Sequence, residues 1–200
     1  MQVVLCALDD ELHHAFRTAF HDVAAVTAHR GSILAVEADA IVSPANSFGY
    51  MDGGLDLVLS QHFGWDLEKR VRAELLEHHL GELPVGQAIV VPTHDERVPW
   101  LVSAPTMRVP MRVAETANAF LAFRAILGAV HRHNTSHGSA PIEVVACPGL
   151  GTGEGRMPAA VCAGQMRYAW EVVVEGHRER LGGLAGAVRN HLRLLGKPEP

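Results

Sequence analysis

Two stretches of this chain put polar side chains inside glycine-rich breaks between apolar runs. In the first, Asp39 to Gly64, the run Ala40-Ile41-Val42 breaks at Ser43-Pro44 and passes through Asn46, Gly49, Gly53 and Gly54. Apolar spacing resumes at Leu55, Leu57, Val58 and Leu59. The break holds one amide, Asn46, and two carboxylates, Asp52 and Asp56. A buried strand that delivers a glycine-bearing loop into a helix start presents backbone N–H groups to an anion. The second stretch, Gly149 to Pro158, reads GLGTGEGRMP, with Gly149, Gly151, Gly153 and Gly155 alternating with Leu150, Thr152 and Glu154. It satisfies neither the dinucleotide fingerprint nor the P-loop pattern. Two readings of it stand: close backbone approach to a diphosphate with Thr152 as an added donor, or a tight turn without a ligand.

The elements around these loops alternate. Val3 to Leu8 reads as a strand, and Asp10 as the cap of a helix through Leu12, Ala15, Phe16 and Ala19. Val23 to Ala28 reads as a second strand, Ala40 to Val42 as a third. Leu67, Val71, Leu75 and Leu76 mark an amphipathic helix over 67–80, stopped by Gly81. Ala88 to Pro92 and Trp100 to Ala104 read as strands joined by a polar turn. A helix over 116–130, a loop over 136–141 and a strand from Ile142 to Ala146 lead to the second glycine loop. Helices over 159–174 and 184–195 follow, with a frayed tail over 196–200. Alternation along the whole of 1–200 predicts one α/β domain of three layers.

Composition narrows the function. The chain has 200 residues, 48% hydrophobic and 20% charged, with a net charge of −5, which implies no general nucleic-acid or anionic-membrane affinity. No apolar run approaches the ~20 residues of a membrane span, and Met1 to Asp9 lacks the basic start of a signal peptide. Cys6, Cys147 and Cys162 are far apart with no CxxC, as expected of reduced thiols in a cytoplasmic protein. The 13 histidines show no metal-binding spacing, so no metal or cofactor is expected.

Taken together the two loops resemble the macrodomain signature, a strand reading DAIVNAAN that leads into Gly-Gly-Val-Asp. Here Asp39 to Asn46 reads DAIVSPAN and Gly53 to Asp56 reads GGLD, without a gap. Gly31-Ser32-Ile33 stands where the family carries Gly-Asp-Ile, and Pro148 to Pro158 where it carries the diphosphate loop. The resemblance implies an α/β/α sandwich with a mixed central sheet and a site for ADP-ribose or an ADP-ribosylated substrate. It further implies that Asn46 holds the distal ribose, while Gly53, Gly54 and Leu55 meet a phosphate. Gly149, Leu150, Gly151, Thr152, Gly153 and Gly155 would clasp the diphosphate from the other side. Ser32, Ile33 and Ala45 complete the expected contacts. Asp56 falls where hydrolysing relatives carry the aspartate that activates water against the anomeric carbon of that ribose, a centre that gains oxocarbenium character.

Departures accompany the match. Ser32 replaces an aspartate that reads the adenine amino group, Ser60 a histidine, and Gly155 an aromatic that stacks on the distal ribose. The lysine used by one branch has no counterpart, because residues 70–196 hold no lysine; Glu154 is the candidate second carboxylate. Arg108, in the rigid segment between Pro105 and Pro110, is either a bidentate ligand for a phosphate or a substrate carboxylate, or a surface arginine. Asp56 could also act as a simple helix-dipole partner. The expected function is binding of ADP-ribose with hydrolysis of an ADP-ribosyl linkage. The alternatives are a reader without turnover and a domain whose pocket is vestigial.

Overall fold

Side-chain alternation on the strands sorts the core into two halves. Along Val144–Pro148, Val145 and Cys147 join one apolar cluster and Ala146 the other. Along Ala40–Ser43, Ala40 and Val42 join the first and Ile41 the second. A sheet that is apolar on both faces must be covered on both, so three layers result.

The computed structural model describes residues 1–136, 140–177 and 181–197. The strands are β1 (Gln2–Ala7), β2 (Val26–Arg30), β3 (Ala40–Ser43), β4 (Ile89–Pro92), β5 (Trp100–Ser103) and β6 (Val144–Pro148). They form one sheet in the order β2-β1-β6-β3-β5-β4, parallel throughout except for β4, which runs antiparallel to β5. Helices α1 (Asp10–Ala19), α4 (Asn118–Thr135) and α5 (Ala159–Val173) pack on one face. Helices α2 (Gly54–Phe63) and α3 (Asp66–His78) cover the other, and α6 (Leu184–Leu194) follows α5. The mixed sheet between two helical layers is the expected α/β/α sandwich.

Several boundaries differ from the sequence expectation. The cap of α1 is Asp9, whose carboxylate accepts from the Leu12 N–H at 2.8 Å; Asp10 is the first helical residue and pairs with Arg30. Strand β2 starts three residues later than the apolar run, because Val3 of β1 pairs with Val26. Residues 33–37 contain a short 3-10 turn, Ile33–Ala35. Of the tail expected to fray, Gly196 and Lys197 are held by hydrogen bonds to Arg193 and Leu192, and the Lys197 ammonium meets Glu115 at 2.8 Å; residues 198–200 lie outside the described residues. Part of the 136–141 loop, including His137, lies outside them too.

The order of strands matters for function. β3 and β6 are neighbours and run parallel, so the loops that leave their carboxyl ends emerge side by side. In open α/β sheets that is where ligands bind.

Candidate functional site

Between the two loops lies a cleft of about 760 Å³, large enough for a nucleotide-sized molecule. Residues from both glycine loops line it, joined by the end of β1 and the 31–33 turn.

The first loop is built by side chains. Asn46 leaves β3 and folds the chain back on itself: its Nδ2 donates to the Tyr50 carbonyl at 2.7 Å, and its Oδ1 accepts from the N–H groups of Phe48 and Tyr50 at 3.1 and 3.4 Å. A carbonyl facing one end of the amide and two N–H groups facing the other fix which end is oxygen. The backbone of Met51 is clamped at both its peptides: Met51 N–H donates to Glu68 Oε2 at 2.7 Å, and the Ser60 hydroxyl donates to the Met51 carbonyl at 2.9 Å. Gly54, at φ 55°, then turns the chain into α2 in a conformation that other residues resist.

Asp56 sits in the first turn of α2, 7% exposed, and lines the cleft. Ser43, at the end of β3, donates its hydroxyl proton to Asp56 Oδ1 at 2.6 Å. Burial pushes the Asp56 carboxyl up to about 6; the Ser43 bond opposes that rise and the nearby Glu68 charge adds to it. A carboxylate poised there exchanges a proton near neutral pH, which suits a general base.

The second loop is built by backbone. Met157 N–H donates to the Gly151 carbonyl at 2.9 Å, Arg156 N–H to Gly153 at 3.1 Å, and Val113 N–H to Gly155 at 2.8 Å. A Cβ on Gly155 would lie 2.4 Å from the Gly151 oxygen and 2.5 Å from Val113 Cγ2. Packing therefore requires that glycine. Gly153 differs: its φ is unremarkable and a Cβ there would meet nothing within 4 Å. On the first loop, Gly53 has extended dihedrals and the same open surroundings. Neither glycine is demanded by the fold, and both face the cleft.

Residues 42–166 match the family described as Macro domain, and an uncharacterized protein of Aquifex aeolicus is 34% identical over 137 residues, 68% of this chain and 75% of that protein. The chain belongs to the macro domain family. In fold this macro domain is similar to the macrodomain of Mycobacterium tuberculosis DarG, with a TM-score of 0.60 and 19% identity over 72% of this chain and 88% of that one. It is also similar to a mutant Oceanobacillus iheyensis macrodomain with ADPR, with a TM-score of 0.56 and 17% identity over 70% of this chain and 73% of that one.

Most residues singled out in the sequence meet on the lining of this macro domain's cleft: Ser32, Ile33, Ala45, Asn46, Gly53, Gly54, Leu55, Asp56, Gly149, Gly151, Thr152, Gly153, Glu154 and Gly155. Two do not. The Arg108 guanidinium is held bidentately by Glu82, at 2.7 and 3.0 Å, and lies over the Phe48 ring, so it braces the first loop from outside the cleft. Leu150 is fully buried in the α1/α4/α5 core. The alternation of that loop sends the Leu150 side chain inward while its glycine neighbours line the cleft.

Within the set, partners differ from expectation. Asn46 already has its carbonyl oxygen and one N–H engaged by its own loop, which leaves a single N–H for a ligand. The Ser32 hydroxyl accepts from Leu34 N–H at 3.2 Å as the cap of the 3-10 turn, and keeps its O–H and one lone pair to offer. Glu154 is exposed to solvent where Asp56 is buried, so the two carboxylates share a cleft but not an environment. Sequence reasoning missed Ser43, although DAIVSPAN differs from DAIVNAAN at that position. It also missed Glu68, on a helix whose pattern reports only amphipathicity.

Proposed function

We propose that the cleft binds ADP-ribose or a closely related nucleotide and that the protein hydrolyses an ADP-ribosyl linkage at the anomeric carbon of the distal ribose. The observation that carries this reading is the buried, cleft-lining carboxylate of Asp56, raised toward neutrality beside two glycine loops. Backbone N–H groups around Gly53 and Gly153 are the natural donors for a diphosphate, since both glycines leave open space for it. Asp56 takes a proton from water; the water oxygen bonds to the anomeric carbon as the bond to the leaving group breaks, and the proton held by Asp56 passes on to the leaving group, which departs protonated and returns Asp56 to its ionised form. Positive charge that gathers at the ribose is favoured by the carboxylates near it. Glu154 is the accessory carboxylate of the second loop. The three buried free thiols suit a reducing, cytoplasmic setting.

Two measurements test this. Calorimetry should find ADP-ribose bound more tightly than ADP. Release of ADP-ribose from O-acetyl-ADP-ribose and from ADP-ribosylated protein should fall at least a hundredfold in Asp56→Ala; equal rates for wild type and Asp56→Ala overturn its role. One observation favours a second reading, a binding module without turnover: the Asn46 amide is already largely satisfied by its own loop. That reading predicts tight binding of ADP-ribose with no release from any adduct.

A further inference from the structure

We infer that Ser43, which does not line the cleft, is a positioning residue for Asp56: its hydroxyl fixes Oδ1 from the end of β3 and leaves Oδ2 as the oxygen offered to the cleft. The inference rests on the hydrolytic reading above, and its test separates the two.

Ser43 is 1% exposed and its hydroxyl carries one proton, donated across 2.6 Å to Asp56. The donor stands on a rigid base. Ser43 pairs in register with Ser103 of β5, and its carbonyl accepts from Ala104 N–H at 3.0 Å. The acceptor stands on a different element, the first turn of α2. The bond therefore ties helix to sheet at the carboxylate itself. Among the described residues no other hydrogen bond reaches the carboxylate, and Oδ2 is not one of the sealed, partnerless atoms, which are His29 Nε2, Ser47 Oγ and Trp100 Nε1. One oxygen is anchored and the other is open.

The same bond selects a protonation state. Ser43 from β3 and Glu68 from α3 are the two neighbouring groups that act on the carboxyl, in opposite senses. A hydroxyl that donates favours the ionised form, while burial and the Glu68 charge favour the neutral one. With Ser43 gone, both remaining influences push toward the neutral acid, which cannot accept a proton from water. The free carboxyl would also regain the rotamers that the tether removes.

The test uses the full chain as wild type, Ser43→Ala, Ser43→Thr and Ser43→Cys. Two readouts are taken: the pH profile of ADP-ribose release, and the titration of the Asp56 side-chain carboxyl by carbon-13 NMR. Ser43→Ala is expected to move both midpoints to higher pH by about one unit. Its kcat at the acidic end should fall about tenfold while KM stays within about twofold, and the deficit should shrink as pH rises. Ser43→Thr should restore the wild-type profile, and Ser43→Cys, a weaker donor of similar shape, should fall between. Superposable midpoints for Ser43→Ala and wild type overturn the inference. If no adduct is hydrolysed by any form, the hydrolytic reading falls, and the NMR midpoint alone upholds or overturns the tether.

Discussion

In the loop after β3, side chains of the loop itself and of β3, α2 and α3 do the holding: Asn46 folds it, Glu68 and Ser60 clamp the Met51 backbone, and Ser43 reaches Asp56. In the loop after β6, among the described residues, no side chain between Gly149 and Met157 makes a hydrogen bond, and the turn closes through backbone pairs to Gly151, Gly153 and Gly155. The two walls of one cleft are thus made by different physics. A wall held by polar side chains can be tuned by protonation and by single-atom changes, so it is the place for chemistry. A wall held by close backbone contact is shaped chiefly by the space left by its missing side chains, so it suits a ligand that needs N–H groups, with Glu154 the one charge it adds to the cleft lining.

The contrast between the walls breaks most visibly at Gly155. In Gly155→Ala the new Cβ would lie 2.4 Å from a backbone oxygen, and backbone cannot swing aside as a side-chain end can. The expected outcome is a loss of about 1–3 kcal/mol in stability and at least a tenfold loss of ADP-ribose affinity. Denaturant melts and calorimetry would read the two effects. Full stability with full affinity would mean that the second wall is soft after all.

Next in size is Asp56→Asn, which sharpens the first wall. The folded carboxyl, at about 6, lies above its ordinary value of 3.8. Below pH 3.8 it is neutral in both folded and unfolded chains. Between there and pH 6 the unfolded chain ionises first, so stability falls as pH rises, and above pH 6 the loss is constant. A rise of that size corresponds to roughly 2–3 kcal/mol. Asn keeps an oxygen for the Ser43 hydroxyl and carries no charge. Asp56→Asn should therefore be more stable than wild type at about pH 7, equal to it near pH 4, and inactive. A wild-type melting curve flat from about pH 4 to 7 would count against a strained carboxylate.

How far this was legible depended on the kind of force involved. Strand and helix order followed from apolar runs punctuated by glycine, because burial on both faces of a parallel sheet writes itself into composition. The adjacency of β3 and β6 is a matter of long-range register and has no local trace; the family resemblance, not periodicity, placed the two loops together. The start of β2 was misplaced because Val23 to Ala28 is apolar almost throughout, while pairing with β1 decides where the edge strand begins. Arg108 was ambiguous for a similar reason. An arginine between prolines says that it is held, but only the fold brings Glu82, 26 residues away, to its guanidinium. Ser43 was hidden in plain view, as a small residue in a strand whose one proton matters only once α2 is laid beside it.

Gly153→Ala probes the second wall from the opposite side to Gly155. A Cβ there meets nothing within 4 Å, so stability should change by less than about 0.5 kcal/mol. If a diphosphate lies against the backbone, the same methyl must intrude on it, and ADP-ribose affinity should fall by roughly tenfold, about 1.4 kcal/mol. Adenosine, which lacks phosphate, should lose nothing. Equal losses for both ligands, or for neither, would remove Gly153 from the phosphate site.

The smallest effect should come from Glu154→Gln. Glu154 lines the same cleft as Asp56 but is exposed, and a charge open to water acts through a high dielectric and is screened by salt within about 8 Å. Its help to positive charge at the ribose is therefore expected to be less than about threefold in kcat at physiological ionic strength, and somewhat larger at low salt. Asp56, enclosed and tethered, should show little salt dependence, because buried groups are screened much less. Measuring kcat for both variants at two ionic strengths compares a solvated carboxylate with a buried one in a single cleft. A loss above tenfold in Glu154→Gln, independent of salt, would put a principal share of the chemistry on the second wall and undo the division between the two loops.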